Sequence, residues 1–167
     1  MNRVLILVTG LFLVLMMVSC GGEDSSETCT GSDKFCHSHD GLDWSDDLSN
    51  DLNNLMTWDE AVTSCENLGG RLPTISELRT LIQKCPATET GGWCGVTDNC
   101  LSSDCWLDSC GMYESDYAGY SVFGDIYHLW SSSELSDDAD NVWSVLFSNG
   151  GVYGENKSSS SGVRCVR

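Results

Sequence analysis

Cysteine is the residue type through which this sequence could do most of its chemistry, because ten of its 167 residues are cysteines. They are Cys20, Cys29, Cys36, Cys65, Cys85, Cys94, Cys100, Cys105, Cys110 and Cys165. Cysteines at this density are typical of disulfide-bonded proteins outside the cytoplasm, where thiols can be oxidised. The short spacing between Cys29 and Cys36 favours a small bridged loop. The pairing of the five cysteines from Cys85 to Cys110 stays open at this stage.

A metal site is the competing interpretation of the same residues. The run Cys36-His37-Ser38-His39-Asp40 brings together a thiol, two imidazoles and a carboxylate. Zinc sites use such ligands, but their paired ligands usually have two to four residues between them, and no second pair follows here. Cys94, Cys100, Cys105 and Cys110 also lack the doubled short spacing of a zinc ribbon. We therefore expect disulfides, with no metal and no cofactor.

The first cysteine has a different expected role. Residues 1–19 contain one basic residue, Arg3, followed by an apolar run. This run is shorter than the roughly 20 residues that span a bilayer and is typical of a signal peptide. The residues Met17-Val18-Ser19-Cys20 resemble a lipobox, in which Cys20 is acylated, and Gly21 favours the outer membrane. An ordinary signal peptide with an incidental Cys20 remains the alternative.

Cleavage and acylation at Cys20 would leave nine cysteines, so at least one would be free, joined to another chain, or modified. Cleavage would also leave seven Lys and Arg against 25 Asp and Glu. Such a surface repels phosphate backbones, which argues against nucleic-acid binding. Four carboxylates near the main strand could attract calcium, but we favour a solvated acidic loop. They are Glu134, Asp137, Asp138 and Asp140.

The pattern of elements predicts one domain after a leader and a linker. We assign residues 1–19 to a lipoprotein signal peptide, 20–40 to a flexible acidic tether with a small disulfide loop, and 41–167 to the domain. A short strand is expected around Leu42 and Trp44. Two capping boxes, Thr57 with Glu60 and Thr74 with Glu77, predict two helices.

The second half of the chain predicts a cross-linked loop followed by strands. From Cys85 to Gly124 no helical or strand period is sustained, and a loop of this length is unusual unless it is functional or cross-linked. Strands are expected at residues 128–131 and 142–147. Asn149-Gly150 predicts a hairpin turn, because both residues tolerate positive φ.

Several of these segments, in this order, resemble the Lcl C-terminal-domain family, a bacterial domain found in lipoproteins and in a collagen-like adhesin. The segments are Trp58-Asp59-Glu60-Ala61, Cys65, Arg71-Leu72-Pro73-Thr74, Glu77-Leu78, Trp130-Ser131-Ser132, Trp143, Phe147-Ser148-Asn149-Gly150-Gly151 and Val163-Arg164-Cys165-Val166-Arg167. The resemblance implies an α+β, C-type-lectin-like fold, with two helices flanking a small antiparallel sheet and a long disulfide-rich loop insertion. It also implies neighbouring termini and a Cys65–Cys165 bridge.

The family resemblance implies a binding or adhesion domain, which we expect to be non-catalytic. The lipobox-like residues add a lipid anchor that would hold this domain to the membrane in the cell envelope. Because the chain is acidic, a neutral glycan or a protein suits it better than a sulfated glycan. The aromatic residues of the long loop are the candidate contacts, although packing within the loop is the alternative role. They are Trp93, Trp106, Tyr113, Tyr117 and Tyr120.

Two other functions stay open. An envelope protein without a small-molecule ligand is one, and an odd cysteine that joins two chains would favour it. The other is an enzyme like the formylglycine-generating enzymes, which the Arg164-Cys165 pair resembles. We expect no enzyme, because Cys165 would be bridged and no histidine lies beside a nucleophile in a known motif.

Overall fold

The computed structural model describes residues 28–30, 32–49, 54–111 and 120–167. Cys20, the signal peptide and residues 20–27 and 31 of the tether lie outside these ranges, as do Tyr113 and Tyr117. Within the described ranges, no helix is long and apolar enough to cross a membrane.

The domain has two short helices and two small antiparallel sheets, which is an α+β organisation. The helices are α1 (Trp58–Asn67) and α2 (Ile75–Arg79). The strands are β1 (Phe35–His39), β2 (Leu42–Ser45), β3 (His128–Leu135), β4 (Asp138–Leu146) and β5 (Gly151–Asn156). β1 pairs with β2, and the second sheet has the order β3-β4-β5.

Both helices begin where the capping boxes predict. The Thr57 N–H donates to Glu60 Oε2 at 2.9 Å and the Thr74 N–H donates to Glu77 Oε2 at 2.8 Å, so each box satisfies an amide that has no partner inside its helix. α1 buries Ala61 and Cys65 on one face.

α2 is shorter than its apolar stripe. The four apolar residues Ile75, Leu78, Leu81 and Ile82 are all buried, yet the helix ends at Arg79. The chain leaves the helical path because Ile82 forms an isolated β-bridge with Ser121 on the returning segment. Tertiary pairing therefore ends the helix before its hydrophobic pattern does.

The first sheet corrects the proposed end of the tether. Residues 35–39, which fall within the predicted tether, form β1, and Phe35 is buried at 4% exposure. Asp40 and Gly41 connect β1 to β2 with φ values of 50° and 80°. A two-residue Asp-Gly connection with both φ values positive is a favoured hairpin turn. The burial of Phe35 and this turn fix the segment within the domain.

The second sheet agrees with the strand predictions, and Leu146 pairs with Gly151 across the Asn149-Gly150 turn. The acidic cluster is placed differently from the expected loop. Asp138 and Asp140 belong to β4, and Asp138 is paired with Leu135 at the β3–β4 hairpin. Strand pairing thus extends β4 towards its N-terminal side, beyond the apolar residues that predicted it.

The C-terminal segment joins the two halves of the domain without forming a regular strand. Val166 forms bridges with Trp44 of β2 and with Arg71, which follows α1. The Ser45 N–H also donates to the Cys165 carbonyl at 2.9 Å. These contacts place the end of the chain beside the start of the domain. Trp44, Trp130 and Trp143 are almost completely buried around them.

Candidate functional site

Four disulfides divide the cysteines of the described residues into a local bridge, a long-range bridge and a stapled loop. Cys29 is bonded to Cys36, and Cys65 to Cys165 across 100 residues of sequence. In the long loop, Cys94 is bonded to Cys110 and Cys100 to Cys105. Cys85 is the one free cysteine in these ranges.

The free Cys85 thiol has no access to another chain, because it is buried at 0% exposure. The Thr88 hydroxyl donates to its Sγ at 2.9 Å, and the Gly150 carbonyl lies 3.7 Å from Sγ. A Cβ added to Gly150, which has a φ of 69°, would lie 2.9 Å from that sulfur. Buried structural cysteines of this kind are unreactive. Cys85, the free cysteine of the described residues, therefore cannot bridge two chains. The hypothesis of a purely structural envelope protein loses that support.

The cysteine-rich loop, residues 85–110, is organised by the buried guanidinium of Arg79 at the end of α2. Arg79 is 3% exposed. Its Nε donates to the Thr88 carbonyl at 2.8 Å and its Nη2 donates to the Glu89 carbonyl at 2.9 Å. Nη1 donates to the carbonyls of Cys94, at 3.3 Å, and Val96. Burial lowers the pKa of Arg79 from its ordinary value.

Arg79 gives the loop a fixed shape although the loop lacks long regular elements. A guanidinium presents five N–H donors in a rigid plane, so it can hold several carbonyl oxygens at once. Its four acceptors come from both sides of Trp93 in sequence. Arg79 therefore holds the loop backbone on both sides of Trp93 against the end of α2.

Two further contacts fasten the loop to the rest of the domain. Asp98 accepts from the Thr74 hydroxyl at 2.8 Å and from the Ser76 N–H at 3.1 Å, at the start of α2. Ser103 donates its N–H to Asp137 at 2.9 Å and its hydroxyl to the same carboxylate at 2.5 Å. These hydrogen bonds lower the pKa of Asp137. Acidic residues that could attract cations are thus used to anchor the loop.

Trp93 and Trp106, both predicted as ligand contacts, have different environments. Trp106 is partly buried against the core, and its indole N–H donates to the Val152 carbonyl at 2.8 Å. Trp93 is 81% exposed, which makes it the most exposed large hydrophobic residue in the described ranges. Tyr120 is 8% exposed and packs in the core, while Tyr113 and Tyr117 lie outside the described residues.

The backbone under Trp93 is fixed although its ring is exposed. The Ser109 hydroxyl donates to the Trp93 carbonyl at 3.0 Å. Cys94, the next residue, is bonded to Cys110. Gly92, the preceding residue, passes so close to the chain that an added Cβ would lie 2.4 Å from the Pro86 carbonyl oxygen. The structure therefore presents an exposed indole on a constrained backbone.

A second group of functional side chains lies at the β1–β2 sheet. His37 Nε2 lies 2.8 Å from Asp46 Oδ1, beside the Cys29–Cys36 bridge. His39 of the Cys36–Asp40 run lies apart from His37, because its Nε2 contacts the Thr80 carbonyl at 2.9 Å. Asp46 was missed because it follows β2 and meets His37 only when the hairpin forms.

Arg164 and Cys165 both make contacts that stabilise the fold. Arg164 Nε donates to Asp125 Oδ1 at 2.8 Å, in an ion pair whose side chains are 7% and 2% exposed. Arg164 also donates to the Ser45 carbonyl at 2.6 Å and lies 5.0 Å from the Phe123 ring centroid. Cys165 is bonded to Cys65. In this arrangement both residues hold the C-terminal segment to β2 and α1.

The comparison with known families agrees with the architecture. The model of the Lcl C-terminal domain matches residues 35–167, and this match begins at the first residue of β1. No curated protein matches the chain. Because the family match covers most of the sequence, the chain belongs to the Lcl C-terminal domain family.

Proposed function

We propose that this protein is a non-catalytic binding domain of the cell envelope, which contacts its ligand through Trp93 on the cysteine-rich loop. This proposal rests on the 81% exposure of the Trp93 side chain. The backbone that carries it is held by Arg79, Ser109 and the Cys94–Cys110 bridge. Exposing a large indole on a fixed backbone keeps apolar surface in water. A ligand that covers the ring would remove that surface from water without having to order the loop first.

A neutral glycan is the ligand class that this surface suits best. An exposed indole offers an apolar face on which a sugar ring can stack, and the surrounding loop is rich in hydroxyl and backbone polar groups. The exposed large hydrophobic residues of the described loop are only Trp93 and Leu107. That is a small apolar area beside the roughly 800 Å² per partner of a standard protein interface. The net charge of −17 opposes sulfated glycans.

A C-type-lectin-like fold is part of the same proposal. It is supported by the disulfide from α1 to the C-terminal segment and by the proximity of that segment to β2. In such a fold, the long loop would carry the binding surface and the small sheet would support the loop. The Cys94–Cys110 and Cys100–Cys105 bridges would then replace a bound ion as the loop's support.

Envelope display completes the proposal. Acylation of Cys20 would place the domain on a tether ending near Phe35, and Gly21 supports outer-membrane sorting. Stable anchoring needs more than one acyl chain. Intact mass of the membrane-extracted protein tests this part. An N-terminus at Cys20 with added acyl mass is expected, and an unlipidated N-terminus in the membrane fraction would contradict it.

The ligand test compares two exposed apolar side chains. On an array of neutral glycans, the full chain should bind, and Trp93→Ala should weaken binding about 30-fold, which corresponds to a contact of about 2 kcal/mol. Ile126, which is 47% exposed outside the loop, supplies the control. Ile126→Ala should change the affinity less than about twofold, because it removes exposed apolar area away from the proposed surface.

Three outcomes would oppose the proposal in different ways. Failure to bind any neutral glycan would overturn the ligand class. Binding that is unaffected by Trp93→Ala would overturn the location. Capture of an envelope protein that depends on Trp93, with no glycan bound, would overturn the glycan and retain Trp93 as the contact.

A further inference from the structure

Four potential metal ligands meet at the start of the domain, away from the cysteine-rich loop. Cys29, Cys36, His37 and Asp46 each offer one ligand atom, and these atoms all lie within 4.8 Å of one another. In the present state, the two sulfurs are bonded to each other. His37 and Asp46 contact each other at 2.8 Å.

We propose that these residues form a redox-controlled site for zinc or a similar soft divalent cation. The site is closed while Cys29 and Cys36 form a disulfide and opens when they are reduced to two thiols. Two thiolates, one imidazole and one carboxylate would then complete a tetrahedral ligand set. We refer to the four residues as the hairpin cluster.

The geometry of the hairpin cluster is close to that of a zinc site. Zinc bonds of about 2.0 to 2.3 Å in a tetrahedron put the ligand atoms roughly 3.3 to 3.8 Å apart. The longest present separations, up to 4.8 Å, need to contract by about 1 to 1.5 Å. The two bonded sulfurs must move apart, and His37 Nε2 and Asp46 Oδ1, now 2.8 Å apart, must separate by about 0.5 Å. The Cα atoms of Cys29 and Cys36 are 5.5 Å apart, so side-chain rotation can separate the two sulfurs.

The surroundings already orient two of the ligands. The Cys29 N–H donates to Asp46 Oδ2 at 2.8 Å, which directs Oδ1 towards His37. The Phe123 ring packs against the His37 ring, with centroids 5.2 Å apart. Hydrogen bonds and packing of this kind fix ligand orientation in metal sites. The pairing of β1 with β2 places His37 opposite Trp44, and Asp46 directly follows the paired Ser45.

The chemistry balances with one added reactant. A dithiol reductant, of the thioredoxin class in a cell, delivers two electrons and two protons, which cleave the S–S bond and leave two thiols. Zinc binding then releases those two protons and forms two Zn–S bonds. His37 would bind through Nε2 with its ring proton on Nδ1, and an Asp46 oxygen would supply the fourth bond. In the reverse direction, a disulfide of the thioredoxin class takes two electrons from the two thiolates and becomes a dithiol, the Cys29–Cys36 bond forms again, and the cation is released.

The position of the bridge favours its selective reduction. Cys36 lies at the surface, whereas Cys65, Cys165, Cys94 and Cys110 are buried. Access is one determinant of the rate of thiol–disulfide exchange. In the other bridges of the described ranges, only Cys100 is similarly exposed. The double variant Cys100→Ser/Cys105→Ser therefore removes the competing bridge and provides a suitable background.

The test uses cobalt as a spectroscopic probe of zinc-type sites. The full chain with Cys100→Ser/Cys105→Ser is reduced until peptide mapping shows that Cys29–Cys36 alone is open. We expect one cobalt per chain with a thiolate charge-transfer band, displaced by one zinc. His37→Gln and Asp46→Asn should each weaken cobalt binding at least about tenfold. His39→Gln is the matched control, because His39 lies on the same strand and contacts Thr80 instead.

Folding is monitored separately, so that a loss of cobalt binding can be distinguished from a loss of structure. Far-UV circular dichroism and the cooperative thermal transition should be retained in the oxidised protein, the reduced protein and the variants, because the 29–36 bridge closes only a short loop. Absence of cobalt uptake by the reduced chain would overturn the proposal. So would uptake that persists unchanged in both His37→Gln and Asp46→Asn, since two thiolates alone would then account for it.

Discussion

Replacing Arg79 by Ala should destabilise the domain far more than replacing any exposed arginine. Arg79 is 3% exposed and donates to four backbone carbonyls, at Thr88, Glu89, Cys94 and Val96. Hydrogen bonds from a charged donor contribute about 1.5 to 3 kcal/mol each, so four give roughly 6 to 12 kcal/mol as an upper bound. Removing the charge also removes its desolvation cost, which offsets part of this loss. We expect a net decrease of about 3 to 5 kcal/mol in the free energy of unfolding.

The measurement is denaturant unfolding of the oxidised protein, with amide hydrogen exchange followed across the cysteine-rich loop. Arg71→Ala is the matched control, because Arg71 also contacts α2 but is 49% exposed in its ion pair with Glu77. Surface pairs of this kind contribute about 0 to 1 kcal/mol. Arg79→Lys should lie between the two variants, since one ammonium group cannot reach carbonyls on both sides of Trp93.

A small loss of stability in Arg79→Ala would contradict this role of Arg79. If Arg79→Ala lowers the free energy of unfolding by less than about 1 kcal/mol, comparable with a surface pair, the disulfides alone hold the loop. If hydrogen exchange around residues 86–97 also stays slow, Arg79 does not organise the segment that carries Trp93. Accelerated exchange confined to that segment would support the local role assigned to it.

Two further perturbations test the framework and its pH response. The double variant Cys65→Ser/Cys165→Ser should lose about 4 to 5 kcal/mol, because this bridge closes a loop of about 100 residues; a melting temperature unchanged from wild type would contradict that value. Burial lowers the pKa of His128, whereas the neighbouring Glu155 raises it, and burial is the larger effect. The folded state therefore binds this proton less readily than the unfolded chain, so stability should fall as the pH drops below about 6.5, the unfolded value. His128→Gln should flatten the melting-temperature profile between pH 7.5 and 5.5, and an unchanged slope would exclude His128 as its source.

Local chemistry made several parts of the fold predictable. Thr57 and Glu60, or Thr74 and Glu77, satisfy helix amides within four residues, so the starts of both helices follow from spacing alone. Asn149-Gly150 predicts its turn for an equally local reason. Asp40-Gly41 carries the same hairpin information, and applying that rule would have placed β1 inside the domain instead of in the tether.

The candidate site was less predictable because it depends on contacts between distant residues. The sequence presented Trp93 and Trp106 as equivalent aromatic residues in one loop. Their difference arises because the Trp106 indole meets Val152 of β5, while Trp93 projects from a backbone held by Arg79. Asp46 likewise joined the hairpin cluster only through strand pairing. Burial and partner identity at such positions are properties of the packed domain.

The sequence by itself determined the family, the two helix starts, the main hairpin and the odd number of cysteines that follows if Cys20 carries lipid. These features depend on residue identity and on interactions over a few positions. Tertiary structure alone decided that Cys85 is the free and buried thiol, and how the four other loop cysteines pair. It also decided that Trp93 is exposed where Trp106 is not. Each of these outcomes depends on which distant segment packs against the loop, and the local spacing of residues does not specify that segment.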